Sequence, residues 1–489
     1  MSMPVRVRIA PSPSGHLHVG TARTAVYNWL FARHHNGVFV LRIEDTDQAR
    51  SEQQYVDSIQ ASLKWLQLNW DEGPFFQSQR GDIYAAYVDK LRHSASVYPC
   101  YCTPDELAAK REQQLADKAP LRYDGHCRDL TPEQRASYEA EGRGAALRLR
   151  VPDGNTTYHD LVYGDMSRSN EELDDFICVR ADGTPTYNFA CVIDDHDMRI
   201  SHVIRGNDHQ INTFKQILIY RALGLEPPQF AHLPLILGLD GSKISKRHGA
   251  TSITEFETMG FLPHAMVNFL ALLGWSPGDD REVMTLPELT ESFSLDRVNS
   301  SNPVFDQKKL VWLNGEHIRR MDPNALLNAL RPHLVNASLS TPLEIETRWA
   351  WMLEVVKAMQ ERLHLLTDIA TQGAYFFTDH FGYDEKGVKK QFRKSGTVDV
   401  LQDLARTFES IPEAEFSKER TEIALRELAD ANGEKPARYI HPLRLALTGM
   451  TGGPGIFDIV TILGRDKCLD RIQRAVRYIE SLPPAETEG

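Results

Sequence analysis

Residues 9–37, IAPSPSGHLHVGTARTAVYNWLFARHHNG, join a strand to a helix through a loop rich in proline, glycine and histidine. Apolar residues alternate with arginines over residues 5–9, which predicts a strand, and Pro11 and Pro13 end it. Apolar residues then recur at helical intervals, and residues 38–43 read as a second buried strand. The order predicts a βαβ unit whose first loop (residues 10–20) lies at the carboxyl edge of a parallel sheet, where ligands bind.

A second unit of this kind occurs much later in the chain. Residues 201–204 and 230–237 are predicted strands, and residues 212–222 between them form a predicted helix. The long segment between the two units reads as an inserted domain. After residue 280 the pattern becomes mostly helical, with amphipathic stretches at 323–334, 348–369 and 418–431. The fold class is therefore α/β, a nucleotide-binding domain split by an insertion and followed by an all-α region.

Composition indicates an ordinary globular chain of several domains. The 489 residues are 42% hydrophobic and 25% charged, and a chain of this length exceeds the usual size of one core. No apolar run reaches the roughly 18 residues that span a bilayer, and the N-terminus lacks the apolar core of a signal peptide. These features predict a cytoplasmic protein without membrane contact. The formal net charge of −12 argues weakly against a nucleic-acid partner.

The first loop has the chemistry of an anion site. Gly15 and Gly20 allow close approach of a ligand to the backbone, the next helix begins there, and His16 and His18 can donate hydrogen bonds to phosphate oxygens. Neither common phosphate-loop motif occurs in the chain. A nucleotide site is one interpretation, and a tight proline-rich connection with incidental histidines is the other.

A second stretch, LILGLDGSKISKRHGATS at residues 235–252, follows an apolar strand. Within it, residues 238–249, here called the basic loop, carry Lys243, Lys246 and Arg247 between glycines. Lysines on such a loop can neutralise the charge that develops when a phosphoryl or adenylyl group is transferred. A generic basic loop is the alternative.

Together these stretches resemble known signatures. PSPSGHLHVGT (11–21) is similar to the HIGH signature and KISKR (243–247) to the KMSKS signature of class I aminoacyl-tRNA synthetases. The intervening and following motifs RIEDTDQAR, ADGTPTYNFACVIDD, VIRGNDH and LLGWSPGDD resemble the bacterial glutamyl-tRNA synthetase branch. Together, these motifs in their order along the chain are specific, and the resemblance covers nearly the whole chain.

The resemblance implies an enzyme that condenses L-glutamate with ATP, accompanied by Mg²⁺, and passes the glutamyl group to the terminal adenosine of tRNA-Glu. It also implies a monomer. Two alternatives stay open: a noncatalytic tRNA-binding paralogue, and a glutamyl enzyme of relaxed specificity that also charges tRNA-Gln. The first requires loss of the chemistry residues, which are present.

The same resemblance implies the site residues. The implied catalytic residues are His18, Lys243 and Lys246. The implied ATP-binding residues are Pro11, Ser12, Gly15, His18, Gly20, Thr21, Lys243, Ser245, Lys246 and Arg247. The implied glutamate-binding residues are Arg8, Ser12, Glu44, Tyr187 and Arg205. Thr21 replaces the last histidine of the HIGH signature, so His18 and Lys246 carry more of the implied chemistry.

Three cysteines have a spacing similar to the zinc-binding insertion of many family members. They are Cys100, Cys102 and Cys127, and their thiolates can hold Zn²⁺ if a fourth ligand exists. Asp129 stands where the family more usually has histidine, and Tyr123 or His126 are alternatives. Three reduced cysteines without a metal are the other interpretation.

The resemblance also divides the chain. It implies a first Rossmann half (1–78), an acceptor-binding insertion with the cysteines (79–184), a second Rossmann half (185–240), a KMSKS and stem-contact domain (241–321) and helical anticodon-binding domains (322–489). In the last part, Arg362 matches a position where arginine accompanies rejection of the glutamine anticodon. An exposed helix arginine is the alternative.

Overall fold

The computed structural model describes residues 4–47 and 51–483; residues 48–50, which close the motif RIEDTDQAR, and the side chain of Lys246 lie outside the described part. The strands are β1 (Arg6–Ile9), β2 (Val38–Ile43), β3 (Glu72–Phe76), β4 (Val97–Cys100), β5 (Ala146–Leu149), β6 (Asn155–Asp160), β7 (Gly164–Ser169), β8 (Ile177–Val179), β9 (His202–Gly206) and β10 (Gln229–Leu233).

Helices up to residue 307 are α1 (Val19–His34), α2 (Gln53–Trp65), α3 (Gly81–Arg92), α4 (Pro104–Ala116), α5 (Pro132–Ala140), α6 (Tyr187–Asp197), α7 (Gln210–Ala222), α8 (Ile253–Thr258), α9 (Pro263–Leu272) and α10 (Leu286–Ser292). Later helices are α11 (Gln307–Arg320), α12 (Pro323–Asn336), α13 (Pro342–Thr347), α14 (Trp349–Met359), α15 (Asp368–Gln372), α16 (Glu385–Gly387), α17 (Thr397–Glu409), α18 (Lys418–Ala431), α19 (Ala437–Thr448), α20 (Ile456–Leu463) and α21 (Arg465–Ser481).

The predicted βαβ unit is confirmed. Strands β1 and β2 pair in parallel, with Val7 opposite Phe39, and α1 connects them. The connection depends on Asn36, whose φ of 50° is left-handed, and on Gly37, where a Cβ would lie 2.3 Å from the Val5 carbonyl oxygen. The helix can therefore end and the chain return to the sheet without a clash.

Three sheets form within the first part of the chain. Their strand orders are β1-β2-β3, β7-β6-β10-β9 and β4-β5-β8. The backbone N–H of Ser201 donates to the Arg6 carbonyl at 2.9 Å, which brings β1 beside the start of β9. Both βαβ units thus direct the carboxyl ends of their strands toward one region, as expected for parallel strands.

The inserted segment contributes to the second of these sheets, which the sequence pattern did not predict. Its hairpin β6–β7 joins β10 in parallel, with Asp160 opposite Phe230. The predicted strand 230–237 is also shorter, since β10 ends at Leu233. Asp160 consequently lies in the sheet that carries the predicted glutamate site.

The chain divides into two compact units. One contains Met1–Glu257 and Pro263–Gln307, and the other contains Thr258–Leu262 and Lys308–Gly489. Over its described residues the second unit is helical, as predicted. The predicted helix 348–369 is interrupted after Met359, and the Asp368 carboxylate then accepts hydrogen bonds from the backbone N–H groups of His364 and Leu365 at 2.8 and 2.9 Å. No helix of the described chain is long and apolar enough to cross a bilayer.

Candidate active site

The first loop and the segment after the basic loop are held together by backbone hydrogen bonds. The N–H of Val19 donates to the Thr251 carbonyl at 2.9 Å, and the N–H of Ile253 donates to the Leu17 carbonyl at 3.0 Å. His18 forms an isolated β-bridge with Ser252 between them. The two loops are therefore neighbours although more than two hundred residues separate them.

His18 caps the N-terminus of α1. Its Nδ1 accepts a hydrogen bond from the Gly20 N–H at 3.2 Å, so the neutral ring carries its proton on Nε2. Partial burial, with a contribution from the positive charge of Lys243, lowers the pKa of His18 below its usual value. The neutral ring can donate one hydrogen bond from Nε2 to an anion near the helix N-terminus.

Steric crowding does not require glycine at positions 15 and 20 of the first loop. A Cβ at Gly15 would meet no atom of the described residues within 4 Å, and one at Gly20 would meet only His18 Nδ1, at 3.6 Å. Ser12 is exposed, Thr21 is partly exposed, and the Pro11 carbonyl accepts from the Glu44 N–H at 3.0 Å. The loop is thus fixed to the end of β2 and leaves backbone accessible to a ligand.

The basic loop is organised around His248. Ser245 N–H donates to His248 Nδ1 at 3.0 Å, and His248 Nε2 lies 3.1 Å from the Asp240 carboxylate. A Cβ at Gly238 would lie 2.6 Å from the His248 ring. The exposed Lys243 ammonium lies 3.4 Å from Asp208. This framework holds the backbone that carries the loop's cations.

The charged groups of Lys243 and Arg247 are exposed. Arg247 lies 3.6 Å from Asp240 and is 65% exposed, so its guanidinium is paired only at the surface. The backbone of Lys246 begins a short 3₁₀ helix, Lys246–His248. The side chain of Lys246 lies outside the described part of the chain.

Arg205 lies at the end of β9 and is 5% exposed. Its Nη2 donates to Thr213 Oγ1 at 2.5 Å and to Gln216 Oε1 at 2.9 Å, while Nε donates to His232 Nε2 at 3.3 Å. Its Nη1 is buried and has no hydrogen-bond partner among the residues that the structure describes. A buried guanidinium with one unpartnered nitrogen is suited to binding a carboxylate.

A buried ion-pair network supports the other predicted glutamate residues. Asp195 accepts from Arg8 Nε at 3.1 Å and from Arg42 Nη1 at 2.7 Å, and Arg42 Nη2 donates to Glu44 Oε1 at 3.2 Å. Burial alone would raise the pKa of Asp195, but Arg8 and Arg42 lower it to about 2. Asp195 thus stays ionised and orients both arginines.

The pKa of Glu44 is shifted in the opposite direction from that of Asp195. Burial raises the pKa of its carboxyl above the usual value, although the guanidinium of Arg42 opposes this. The side chain remains 9% exposed at the end of β2. It can accept hydrogen bonds from an ammonium group that enters from the open side.

Tyr187 links the two halves of this pocket. The charges of Glu44, Arg205 and Arg8 all act on its hydroxyl, which places four of the predicted glutamate residues together. The hydroxyl lies 3.1 Å from His209 Nδ1, and burial lowers the pKa of His209 to about 4. Shared partners therefore bring Arg8 close to Glu44 and Tyr187 close to Arg205. Ser12 is exposed and follows Pro11, whose carbonyl accepts from the Glu44 N–H.

Sequence reasoning missed several residues that build this pocket. Arg42 and Asp195 are completely or nearly completely buried, and neither was predicted. A signal existed in each case, because Arg42 is a charge inside the apolar strand VFVLRI and Asp195 closes the apolar run FACVIDD. A charge within a buried element requires a partner, so both positions could have been flagged.

The three cysteines form a second cluster. Cys100, Cys102 and Cys127 place their sulfur atoms within 4.8 Å of one another. The Tyr123 hydroxyl lies 3.5 Å from Cys100 Sγ and 3.6 Å from Cys102 Sγ. The donor set of three sulfurs and a phenol oxygen fits a tetrahedral zinc ion.

Asp129 is not part of this cluster. Its carboxylate pairs with Arg150 at 3.0 Å and is 82% exposed. His126 is directed to Tyr138, with 3.2 Å between Nε2 and the hydroxyl. Of the candidate fourth ligands, the structure therefore brings only Tyr123 to the cysteines.

Arg362 closes the short helix Gln360–Arg362 of the second unit and is exposed. Its accessibility suits a contact with an external partner.

Comparisons with known proteins cover nearly the whole chain. The family described as "tRNA synthetases class I (E and Q), catalytic domain" matches residues 4–312, and "Anticodon binding domain" matches residues 325–476. A glutamate–tRNA ligase of Moorella thermoacetica is 46% identical over 97% of this chain and 98% of its own. A glutamate–tRNA ligase of Caldanaerobacter subterraneus is 45% identical over 98% of this chain and 99% of its own.

Solved structures agree with these relatives. The glutamate tRNA ligase of Elizabethkingia meningosepticum, solved in complex with its amino acid, superposes with a TM-score of 0.88 at 32% identity, covering 97% of this chain and 99% of its own. The glutamate-tRNA synthetase of Elizabethkingia anophelis gives a TM-score of 0.86 at 32% identity. The superposition covers 97% of this chain and 100% of the other.

Proposed function

Because the chain belongs to the glutamate–tRNA ligase family of class I tRNA synthetases, we propose that it joins L-glutamate to tRNA-Glu through a glutamyl-adenylate. The observation that carries the proposal is the pocket around Arg205, whose buried Nη1 is unpartnered among the described residues. The pocket adjoins a loop pair with accessible backbone and a histidine donor.

In this proposal the pocket recognises both charged ends of the amino acid. Arg205 binds the side-chain carboxylate, and Glu44 accepts from the α-ammonium group. Arg8 and Tyr187 line the space between them, and Ser12 lies at the entrance. Glutamine is rejected because its neutral amide does not replace a carboxylate opposite a buried guanidinium.

The first step forms a bond between the α-carboxylate oxygen and the α-phosphorus of ATP and breaks the bond to pyrophosphate. His18 Nε2–H donates to a phosphate oxygen at the start of α1. Lys246, aided by Lys243, stabilises the departing pyrophosphate. In the second step a hydroxyl of the terminal adenosine of tRNA attacks the glutamyl carbonyl and releases AMP.

Other residues of the two loops contact ATP in the proposal. Pro11, Gly15 and Gly20 of the first loop and Thr21 of α1 border the nucleotide, and the basic loop contributes Ser245 and Arg247. Mg²⁺ would neutralise part of the triphosphate charge. The five-part division of the chain, a monomeric state and a cytoplasmic location remain predictions.

ATP–pyrophosphate exchange tests the function. We expect glutamate-dependent exchange, measured with and without tRNA-Glu, and transfer of glutamate to tRNA-Glu. A noncatalytic tRNA-binding paralogue would bind the tRNA without either reaction. Absence of exchange and of charging in the presence of tRNA-Glu would overturn the proposal.

We further propose a structural zinc ion held by Cys100, Cys102, Cys127 and Tyr123. It would stabilise the local fold of the insertion. Protein purified from zinc-supplemented cells should contain about one zinc per chain, and Cys100→Ser should lose it, because the substitution replaces a thiolate ligand with a serine hydroxyl that stays protonated at neutral pH. Metal content by plasma mass spectrometry is the measurement.

Two variants identify the fourth ligand. Tyr123→Phe should weaken zinc retention against a chelator, whereas Asp129→Asn should retain zinc like the parent protein, since Asp129 pairs with Arg150 instead. Loss of zinc in Asp129→Asn alone would assign the fourth ligand to the aspartate.

Discrimination between tRNAs is proposed to involve Arg362. The parent protein should charge tRNA-Glu and not tRNA-Gln, and Arg362→Ala should raise relative charging of tRNA-Gln about tenfold. Arg426, an exposed arginine of α18 that pairs with Glu422, is the control for loss of a surface arginine in the same unit. Efficient charging of tRNA-Gln by the parent protein would favour the relaxed-specificity alternative, and equal effects of both variants would remove Arg362 from the proposal.

A further inference from the structure

Behind Arg205 lies a histidine–aspartate pair that the proposed reaction does not use. His232 of β10 and Asp160 of β6 are both completely buried, and His232 Nδ1 lies 2.6 Å from Asp160 Oδ2. The two residues are 72 positions apart and meet because β6 pairs with β10. A buried pair of this kind imposes a definite arrangement of protons.

The hydrogen bonds around Asp160 determine that arrangement. Asp160 Oδ1 accepts from the backbone N–H groups of Val162 and Tyr163, each at 3.0 Å. Burial alone would raise the pKa of Asp160, but its hydrogen bond with His232 and these backbone donors lower it. Asp160 is therefore an ionised acceptor, and His232 must carry a proton on Nδ1.

The second ring nitrogen consequently faces Arg205 as an acceptor. Burial lowers the pKa of His232, which keeps the ring neutral. Its Nε2 lies 2.9 Å from Thr213 Oγ1 and 3.3 Å from Arg205 Nε, and Thr213 Oγ1 accepts from Arg205 Nη2 at 2.5 Å. The hydrogen bonds run in one direction, from the guanidinium through Thr213 and His232 to Asp160.

This chain of bonds occupies the Nε and Nη2 side of the guanidinium. The opposite nitrogen, Nη1, is the one that the described residues leave without a partner. If Nε2 carried the proton instead, a ring N–H would oppose the N–H of Arg205 Nε, and two buried donors would face each other. The guanidinium could not keep its present orientation.

We propose that Asp160 and His232 are positioning residues that select the tautomer of His232 and thereby direct Arg205 Nη1 toward the side-chain carboxylate of glutamate. This inference rests on the proposed function and extends it. It assigns part of the amino-acid specificity to two residues that do not touch the substrate.

Asp160→Asn tests the inference with little change in shape. The asparagine oxygen can still accept from the backbone N–H groups, but its NH₂ group would face Nδ1 and favour the tautomer with the proton on Nε2. We expect the KM for glutamate to rise about tenfold or more, with the KM for ATP within about twofold of the parent value.

The chain provides a matched control on the same hairpin. His159 and Asp165 form a second histidine–aspartate pair, 2.7 Å apart, which is exposed to solvent. Asp165→Asn should leave both KM values unchanged, because water can replace the interaction that an exposed pair loses, at little cost in free energy.

Position 232 gives an independent readout. In His232→Gln the side-chain amide oxygen can accept from Arg205, whereas His232→Leu offers no acceptor. We expect the KM for glutamate to rise less in the glutamine variant than in the leucine variant. This comparison also tests the positioning role if Asp160→Asn does not fold.

The outcomes separate the two proposals. If the parent protein activates no glutamate, the proposed function fails, whatever the variants do. If the parent is active but Asp160→Asn leaves the KM for glutamate unchanged, or raises both KM values in parallel with a lower Tm, the positioning role is wrong. Equal effects of His232→Gln and His232→Leu would also overturn it.

Discussion

Replacing Lys246 with alanine is expected to slow glutamyl-adenylate formation by about 100- to 1,000-fold, which corresponds to about 3 to 4 kcal/mol of lost transition-state stabilisation. The reason is that, in the proposed mechanism, the ammonium group acts on charge that develops at the departing pyrophosphate. Binding of tRNA-Glu should change little, because that contact is not specific to the transition state. Pyrophosphate exchange and a filter-binding assay with the tRNA measure the two effects.

Two further lysine variants define the contribution of position 246. Lys243→Ala should lose less activity, since its ammonium is exposed and already lies 3.4 Å from Asp208. The exposed Lys90 of α3, replaced by alanine, controls for loss of a positive charge at the surface. Parallel losses of exchange and tRNA binding in Lys246→Ala would contradict a role in the chemical step.

Replacing Arg205 with alanine is expected to lower kcat/KM for glutamate by about 100-fold or more, a loss of about 3 kcal/mol. Because the guanidinium is buried, bulk water cannot solvate the substrate carboxylate in its place. The effect should appear mainly as a higher KM for glutamate at an unchanged KM for ATP. Exchange kinetics over a range of glutamate concentrations measure it.

Arg205→Lys separates charge from geometry. Lysine keeps the positive charge but lacks the planar fork, so most of the loss should remain. Arg221, exposed on the neighbouring helix α7, is the control for removal of an arginine. An unchanged KM for glutamate in Arg205→Ala would remove this residue from the recognition of the substrate carboxylate.

Much of the architecture could be predicted from local patterns. The alternation before Pro11 and the helical spacing of the apolar residues that follow predicted the βαβ unit correctly. These features depend on neighbouring residues and on backbone preferences, which a sequence displays directly. The interruption of the predicted helix 348–369 was missed because it depends on a side-chain acceptor, Asp368, rather than on periodicity.

The active-site region could be predicted only in part from the sequence. Motif resemblance indicated Arg8, Glu44 and Arg205, and shared partners bring the first two of these residues close together. It did not indicate that Arg42 and Asp195 orient them, since residues 153 positions apart meet only through the folded sheet. Likewise the choice of Tyr123 over Asp129 beside the cysteines follows from side-chain direction, which spacing does not reveal.

By itself the sequence determined the two βαβ units, the nucleotide-binding fold split by an insertion, the helical C-terminal region and the residue types of the two loops. Only the tertiary structure decided which buried polar groups are partners, and with them the unpartnered nitrogen of Arg205 and the His232–Asp160 pair behind it. The physical reason is that a buried charge is tolerated only with partners at hydrogen-bond distance. Those partners come from strands whose pairing joins distant parts of the chain, so they exist only once the sheet has formed.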